Sequence, residues 1–223
     1  TPDAPKREPL GHALRHGLRD LKRLWPTLRA HPTVLRFLIA RMIYTDGLNT
    51  LFAFGGIYAA GTFGMEFSEI SLLGIGMNVT AGVGAFFFGW MDDKVGAKPT
   101  ILLSLVCLMA LGFGTLIAAD KTTFWALALP IGLFVGPVQS ASRSMMARLA
   151  PAESRTEMFG LFALSGKITA FVGPLLLAWA TALFTSQRAG MATILVLLVA
   201  GFWLLRRVQA PAPQKADGDD ADT

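Results

Sequence analysis

The sequence predicts an all-α membrane protein with six transmembrane helices and both termini in the cytoplasm. Three observations carry that reading. Of 223 residues, 53% are hydrophobic and 16% charged, whereas an ordinary soluble domain carries roughly a quarter charged residues. The apolar residues are gathered into long blocks, and the basic residues into alternate connections between them.

The blocks run at about 35 to 61, 69 to 91, 99 to 119, 124 to 147, 157 to 184 and 189 to 206. Each reaches across a hydrocarbon layer of about 30 Å at about 1.5 Å per helical residue. Stretches such as Ile101 to Ala119 and Met191 to Leu205 lack the polar face that a buried helix of a soluble protein keeps. Transmembrane strands would need about ten alternating residues each, and that alternation is missing.

Lys6, Arg7, Arg15, Arg19, Lys22, Arg23 and Arg29 precede the first block. Lys94 and Lys98 occupy the second connection, Arg143, Arg148 and Arg155 the fourth, and Arg206, Arg207 and Lys215 follow the last block. The remaining connections hold only Lys121 and Arg188. This bias places both termini in the cytoplasm, as an even helix count also requires. The net charge of +5 is therefore topological, and nucleic-acid binding is not expected.

Three segments follow: 1-32, 33-206 and 207-223. In the first, Leu10, Leu14, Leu18, Leu21, Trp25 and Leu28 recur at helical spacing among basic residues. That pattern suits an amphipathic helix on an anionic membrane surface, or one packed against cytoplasmic loops. The second is the six-helix transmembrane domain. The third mixes Pro and Ala with Asp217, Asp219, Asp220 and Asp222 and is expected to be disordered. The chain opens on Thr1 without a signal-peptide pattern, and the expectation is a fragment.

Ionisable side chains are expensive near mid-bilayer and face a cavity or a partner. In the first helix Arg41, Tyr44, Thr45, Asp46 and Asn49 interrupt an apolar run. Asp46 and Lys167, on the first and fifth helices, should lie at similar depth and are expected to form a buried ion pair. That pair either serves a substrate or proton path or fixes helix packing. Gln139 is the fourth-helix residue expected to face the cavity. The expected path is Arg41, Tyr44, Asp46, Asn49, Gln139 and Lys167, while Arg36 should snorkel to headgroups. Gly132, Gly136, Pro137, Gly166, Gly173 and Pro174 mark either a transport path or close packing. Asn78 is expected to hydrogen-bond between helices.

Cys107 is the only cysteine, and His12, His16 and His31 all precede the first block. No metal, disulfide or cofactor is expected. No nucleophile with its base and no phosphate-binding glycine loop is visible, so an enzyme is not expected.

Between the second and third helices stands Gly89, Trp90, Met91, Asp92, Asp93, Lys94, Val95, Gly96, Ala97, Lys98. This resembles the signature loop of the major facilitator superfamily, with Gly89, Asp93, Lys94, Gly96 and Lys98 matching and Ala97 replacing one base. Gly89 should allow close helix approach, and Gly96 a tight turn. The stretches Arg41 to Ala60 and Gly136 to Leu149, then Pro151, Phe159-Gly160, Gly166-Lys167 and Gly173-Pro174, resemble the C-terminal half of the vacuole-effluxer-like branch. That branch includes an autophagy-linked fungal amino-acid exporter and bacterial permeases.

The resemblance implies half of a twelve-helix secondary transporter with 3+3 inverted repeats, moving a small polar solute such as an amino acid by alternating access. Asp93 and Lys94 would latch one conformation against the other half. The implied partners are the lipid bilayer, the solute, and a missing N-terminal six-helix half or a second copy of the chain. The implied location is a bacterial plasma (inner) membrane. A non-transporting scaffold or regulatory subunit, acting through the basic helix and acidic tail, is the alternative.

Overall fold

The computed structural model describes residues 29–209. The expected amphipathic helix up to Leu28 and the acidic tail from Ala210 lie outside the described residues. Within them the chain is helical, with no strand. The helices are α1 (Pro32–Phe63), α2 (Phe67–Val95), α3 (Ala97–Ile117), α4 (Lys121–Leu149), α5 (Arg155–Ile168), α6 (Val172–Phe184) and α7 (Gln187–Arg206).

Five stretches are long and apolar enough to cross a membrane: Phe67–Val95, Ala97–Ile117, Lys121–Leu149, Ala152–Phe184 and Gln187–Arg206. The fourth was expected as one continuous helix over 157 to 184. It is two, α5 and α6, parted at Thr169 to Phe171. α1 is the longest helix at 32 residues. Arg36, Arg41, Asp46 and Asn49 interrupt it, and it is not among these five stretches.

Lipid gives helices little hydrophobic reason to associate, so close backbone packing must hold them. The α2–α4 pair shows how. A Cβ on Gly132 would collide with Thr80 Oγ1 and the Met77 carbonyl, and one on Gly136 with the Ala81 carbonyl. The contact is reciprocal, since a Cβ on Gly84 would strike the Leu133 carbonyl. Pro137 has no N–H to offer Leu133 four residues back, so that freed carbonyl rests against the bare Cα of Gly84. Thr80 Oγ1 adds a bond across the seam to the Leu129 carbonyl at 3.1 Å. Packing is therefore the role the structure gives Gly132 and Gly136.

α1 and α7 pack by the same device. A Cβ on Gly201 would lie 2.7 Å from Tyr44 Cβ, and one on Gly47 3.2 Å from Leu197 Cβ. Around these seams Phe37, Tyr44, Ile101, Leu105, Met145, Met146, Met158 and Leu198 are fully buried. Leu72, Ile75, Val79, Phe86, Phe87 and Trp90 leave α2 apolar and exposed along its outer side.

Polar contacts sort the helix ends into two sets. At one end Lys98 Nζ donates to the carbonyls of Arg206 and Val208 at 2.9 and 2.6 Å. There too Arg148 Nη2 lies 3.3 Å from Asp92 Oδ1. These contacts gather the α2–α3 turn, the end of α4 and the end of α7. At the opposite end Lys121 pairs with Glu69 at 2.8 Å, Arg188 donates to the Ala118 carbonyl at 2.9 Å, and Thr62 donates to Gln187 at 3.2 Å. Asp120 caps α4 there through the Thr123 amide and hydroxyl, which hold its carboxyl below the usual range. Both basic residues at this second end are thus occupied, by a carboxylate and by a carbonyl.

The chain reverses from α2 to α3 through Gly96 alone, at φ 100° and ψ 161°. That region is essentially closed to residues with a Cβ. Its expected turn role is met. Gly89 differs, because no atom lies within 4 Å of a Cβ placed there, so the close approach expected of it is not made among the described residues.

Replacing Gly136 with Leu should destabilise the fold by about 1–3 kcal/mol through overpacking against α2. Gly82→Leu, where a Cβ meets open space, should not. Thermal melting of the detergent-solubilised protein would separate the two, and equal melting would sink the seam argument. Gly96→Ala should cost about 1–3 kcal/mol in the same assay.

Candidate functional site: a polar cleft between two helices

α1 carries Arg41, Tyr44, Thr45, Leu48 and Asn49 at spacings of three and four, so they share one helical face. α4 carries Val138, Gln139, Ser142 and Arg143 in the same way. The two faces enclose a cavity of about 70 Å³ lined by these nine residues. Four of the six residues expected on the path, Arg41, Tyr44, Asn49 and Gln139, are therefore brought together.

The floor of the cleft is fixed by hydrogen bonds. Tyr44, fully buried, meets Ser142 Oγ at 2.7 Å, and Ser142 donates to the Val138 carbonyl at 2.5 Å. With the serine proton committed, the tyrosine hydroxyl is the donor of the pair. Arg41 Nη1 donates to the Phe162 carbonyl and to Ser165 Oγ, both at 2.7 Å. Its guanidinium carbon stands 3.6 Å from the Phe162 ring centroid. Arg41 is thus held between α1 and α5, and Gly166 leaves room beside it. Thr45, Asn49, Gln139 and Arg143 are partly or fully exposed at the mouth.

The other two expected residues lie elsewhere. Asp46 is buried at 2% exposure. Its Oδ2 accepts from the Gly173 amide at 2.6 Å, in the first turn of α6. The break before α6 frees backbone N–H groups that need an acceptor, and Asp46 supplies one from another helix. A Cβ on Gly173 would collide with Thr50 Oγ1, so the glycine admits the close approach. Thr169 Oγ1 donates to the Met42 carbonyl at 3.3 Å and ties the break to α1 a second time.

Lys167 is exposed in the last turn of α5 and makes no ion pair with Asp46, contrary to expectation. The depth argument treated 157 to 184 as unbroken. The break brings the α6 amide to Asp46, and Lys167 stays at the negative end of the α5 dipole. Asn78 also departs from expectation, because its amide donates to the Gly74 carbonyl of its own helix at 2.8 Å. Thr80, two residues further on, bonds across instead, to the Leu129 carbonyl.

In the signature loop, Asp92 and not Asp93 meets Arg148, at 3.3 Å without hydrogen-bond geometry at Oδ1. Asp93 is exposed, and Lys94 Nζ lies 3.8 Å over the Trp90 ring. A larger cavity of about 150 Å³, among Leu51, Ile70, Met77, Phe124, Ile131 and Met191, is apolar apart from Tyr58 and Thr115. It offers no charge with which to orient a polar solute.

Sequence reasoning missed Arg143 as a site residue, counting it among loop charges. α4 runs on to Leu149 and keeps it helical, four residues past Gln139 on the same face. That i, i+4 relation was the available signal.

Asp46→Ala removes the acceptor at the α6 N-terminus and should lower stability by about 0.5–2 kcal/mol, whereas Asp46→Asn keeps an oxygen and should melt near the parent. Equal losses from both would show that the charge, not the cap, matters.

The family model described as "Vacuole effluxer Atg22 like" matches residues 1–216. The "Uncharacterized MFS-type transporter YxiO" of Bacillus subtilis is 24% identical over 90% of this chain and 46% of its own length. "Autophagy-related protein 22" of Cryptococcus neoformans is 27% identical over 89% of this chain and 39% of its own. The "Probable peptidoglycan muropeptide transporter SLC46" of Drosophila melanogaster is 29% identical over 63% of this chain and 29% of its own. The chain spans less than half the length of these curated relatives.

Proposed function

We propose, from the premise that the chain belongs to the vacuole effluxer Atg22-like family, that it forms one half of a secondary transporter. It moves a small polar solute by alternating access, with amino acids the class that the sequence resemblance implies. The single observation that carries this reading is the polar cleft between α1 and α4, open on one side of an otherwise apolar bundle. A polar face in that setting needs water, solute or protein against it.

On this proposal α1 is a sixth span, and the break between α5 and α6 lets Ala152–Phe184 count as one crossing. The basic end, with Lys94, Lys98, Arg148, Arg155, Arg206 and Arg207, faces the cytoplasm. Likeness to a Bacillus protein supports a bacterial plasma membrane as the location. The second half of the cavity comes from the remaining length seen in the relatives, which would lie against the open face of α1 and α4. Arg41, Tyr44, Asn49 and Gln139 contact solute, Asp46 holds the α5–α6 break against α1, and Asp93 with Lys94 forms the latch toward the other half. Lys167, exposed beside the break, we assign to the path's edge. The scaffold alternative rests on segments outside the described residues, and nothing within them favours it.

Cells loaded with dipeptides release the amino acids formed inside. A strain lacking the native protein should release at least one amino acid several-fold more slowly, with recovery on re-expression of the whole gene. Identical release of every amino acid with and without the protein would refute amino-acid efflux.

A further inference from the structure

We infer that the α1–α4 cleft holds the anionic group of the solute, a carboxylate or phosphate, between Arg41 and Arg143. This rests on the transport reading and adds the charge of what is carried.

The cleft is lined by two guanidinium groups on facing helices and by no acidic side chain. The acid closest in sequence, Asp46, is turned to the α6 backbone. Arg41 is only partly committed. Nη1 makes its two bonds to Phe162 and Ser165, whereas Nε is buried with no acceptor. Arg143 has neither ion pair nor hydrogen bond among the described residues, and it is exposed at the mouth. Like charges gathered in a medium of low dielectric repel, and a buried donor without an acceptor is costly. A bound anion relieves both.

The chemistry suits an oxyanion in particular. A guanidinium presents planar, paired donors that match carboxylate or phosphate geometry. One arginine is already fixed, by stacking on Phe162 and by its carbonyl bond, so little rotamer freedom is lost when the anion arrives. The other is free to close over it. Asn49 and Gln139 flank the pair with amides that serve the rest of a polar solute.

Placement along the helices favours a solute over a lipid headgroup. Arg41 lies nine residues inside the start of α1 and Arg143 six before the end of α4, about 14 and 9 Å along the helices. Headgroup phosphates belong at the ends of spans, where Arg36, Arg206 and Arg207 lie.

The test uses the whole native protein purified into phospholipid vesicles loaded with an aqueous metabolite extract of the source cells. Mass spectrometry then identifies what is released. Every solute released by the protein should bear a carboxylate or phosphate. Arg143→Gln should cut release about tenfold or more, Arg143→Lys should fall between, and Arg155→Gln should leave it unchanged. Arg143 makes no hydrogen bond or ion pair among the described residues, so its variant should melt like the parent, and it carries the test where Arg41→Gln unfolds.

Release of solutes with neither a carboxylate nor a phosphate would overturn the inference and leave transport standing, as would undiminished release by Arg143→Gln. A phospholipid retained by the parent and lost from Arg143→Gln would reassign the pair to a headgroup. No release of anything by the parent would defeat the transport reading itself, and this inference with it.

Discussion

Close contact between bare backbones is the constraint on which the rest of this structure depends. In water, α2 and α4 would be driven together by their apolar surfaces, but in lipid those surfaces are already solvated by acyl chains. What remains is dispersion between atoms in contact and whatever polar bonds the contact allows. Gly84, Gly132 and Gly136 remove the side chains that would hold the backbones apart. Pro137 adds an exposed carbonyl on the Leu133 turn that Gly84 can meet. Residues that weaken a soluble helix here allow two helices to join.

That seam positions the cleft. α4 is anchored to α2 by one face and to α3 by another, which leaves the face of Val138, Gln139, Ser142 and Arg143 for α1. α1 is held from behind by α7, where Gly201 meets the Tyr44 backbone. Tyr44 thus stands between a glycine contact on one side and Ser142 on the other. Its hydroxyl is fixed by packing rather than by a loop, and a site on rigid elements keeps its geometry.

Much of this was legible in the sequence, for identifiable reasons. Block length and charge placement gave the helices and their connections, because both follow from bilayer thickness and the cost of moving cations across it. Arg41, Tyr44, Asn49 and Gln139 stood out because a polar residue in an apolar run must be explained. Direction around the helix was not legible in the same way. Asp46 sits one residue past Thr45, yet about 100° of rotation turns it from the cleft to α6. Nor could hydropathy reveal the break at Thr169 to Phe171, since Ile168, Phe171 and Val172 are all apolar. The expected ion pair that does not form and the cap that forms in its place have one cause, a helix assumed continuous.

The same reasoning explains why α1, the longest helix described, is not among the five apolar spans. A span surrounded by lipid would be selected for uniform hydrophobicity. α1 instead carries charge toward three neighbours, Arg41 toward α4 and α5 and Asp46 toward α6. These residues lie about 1.4 turns apart and bond to the two sides of the α5–α6 break. Arg41 lines the cleft while Asp46 ties down the break in the adjacent span, so a shift of α1 would move both together. On the transport reading proposed above, a helix joining the cleft to a break is where solute contact would be converted into movement of a neighbour. Its polar residues lower its hydropathy because both connections need them.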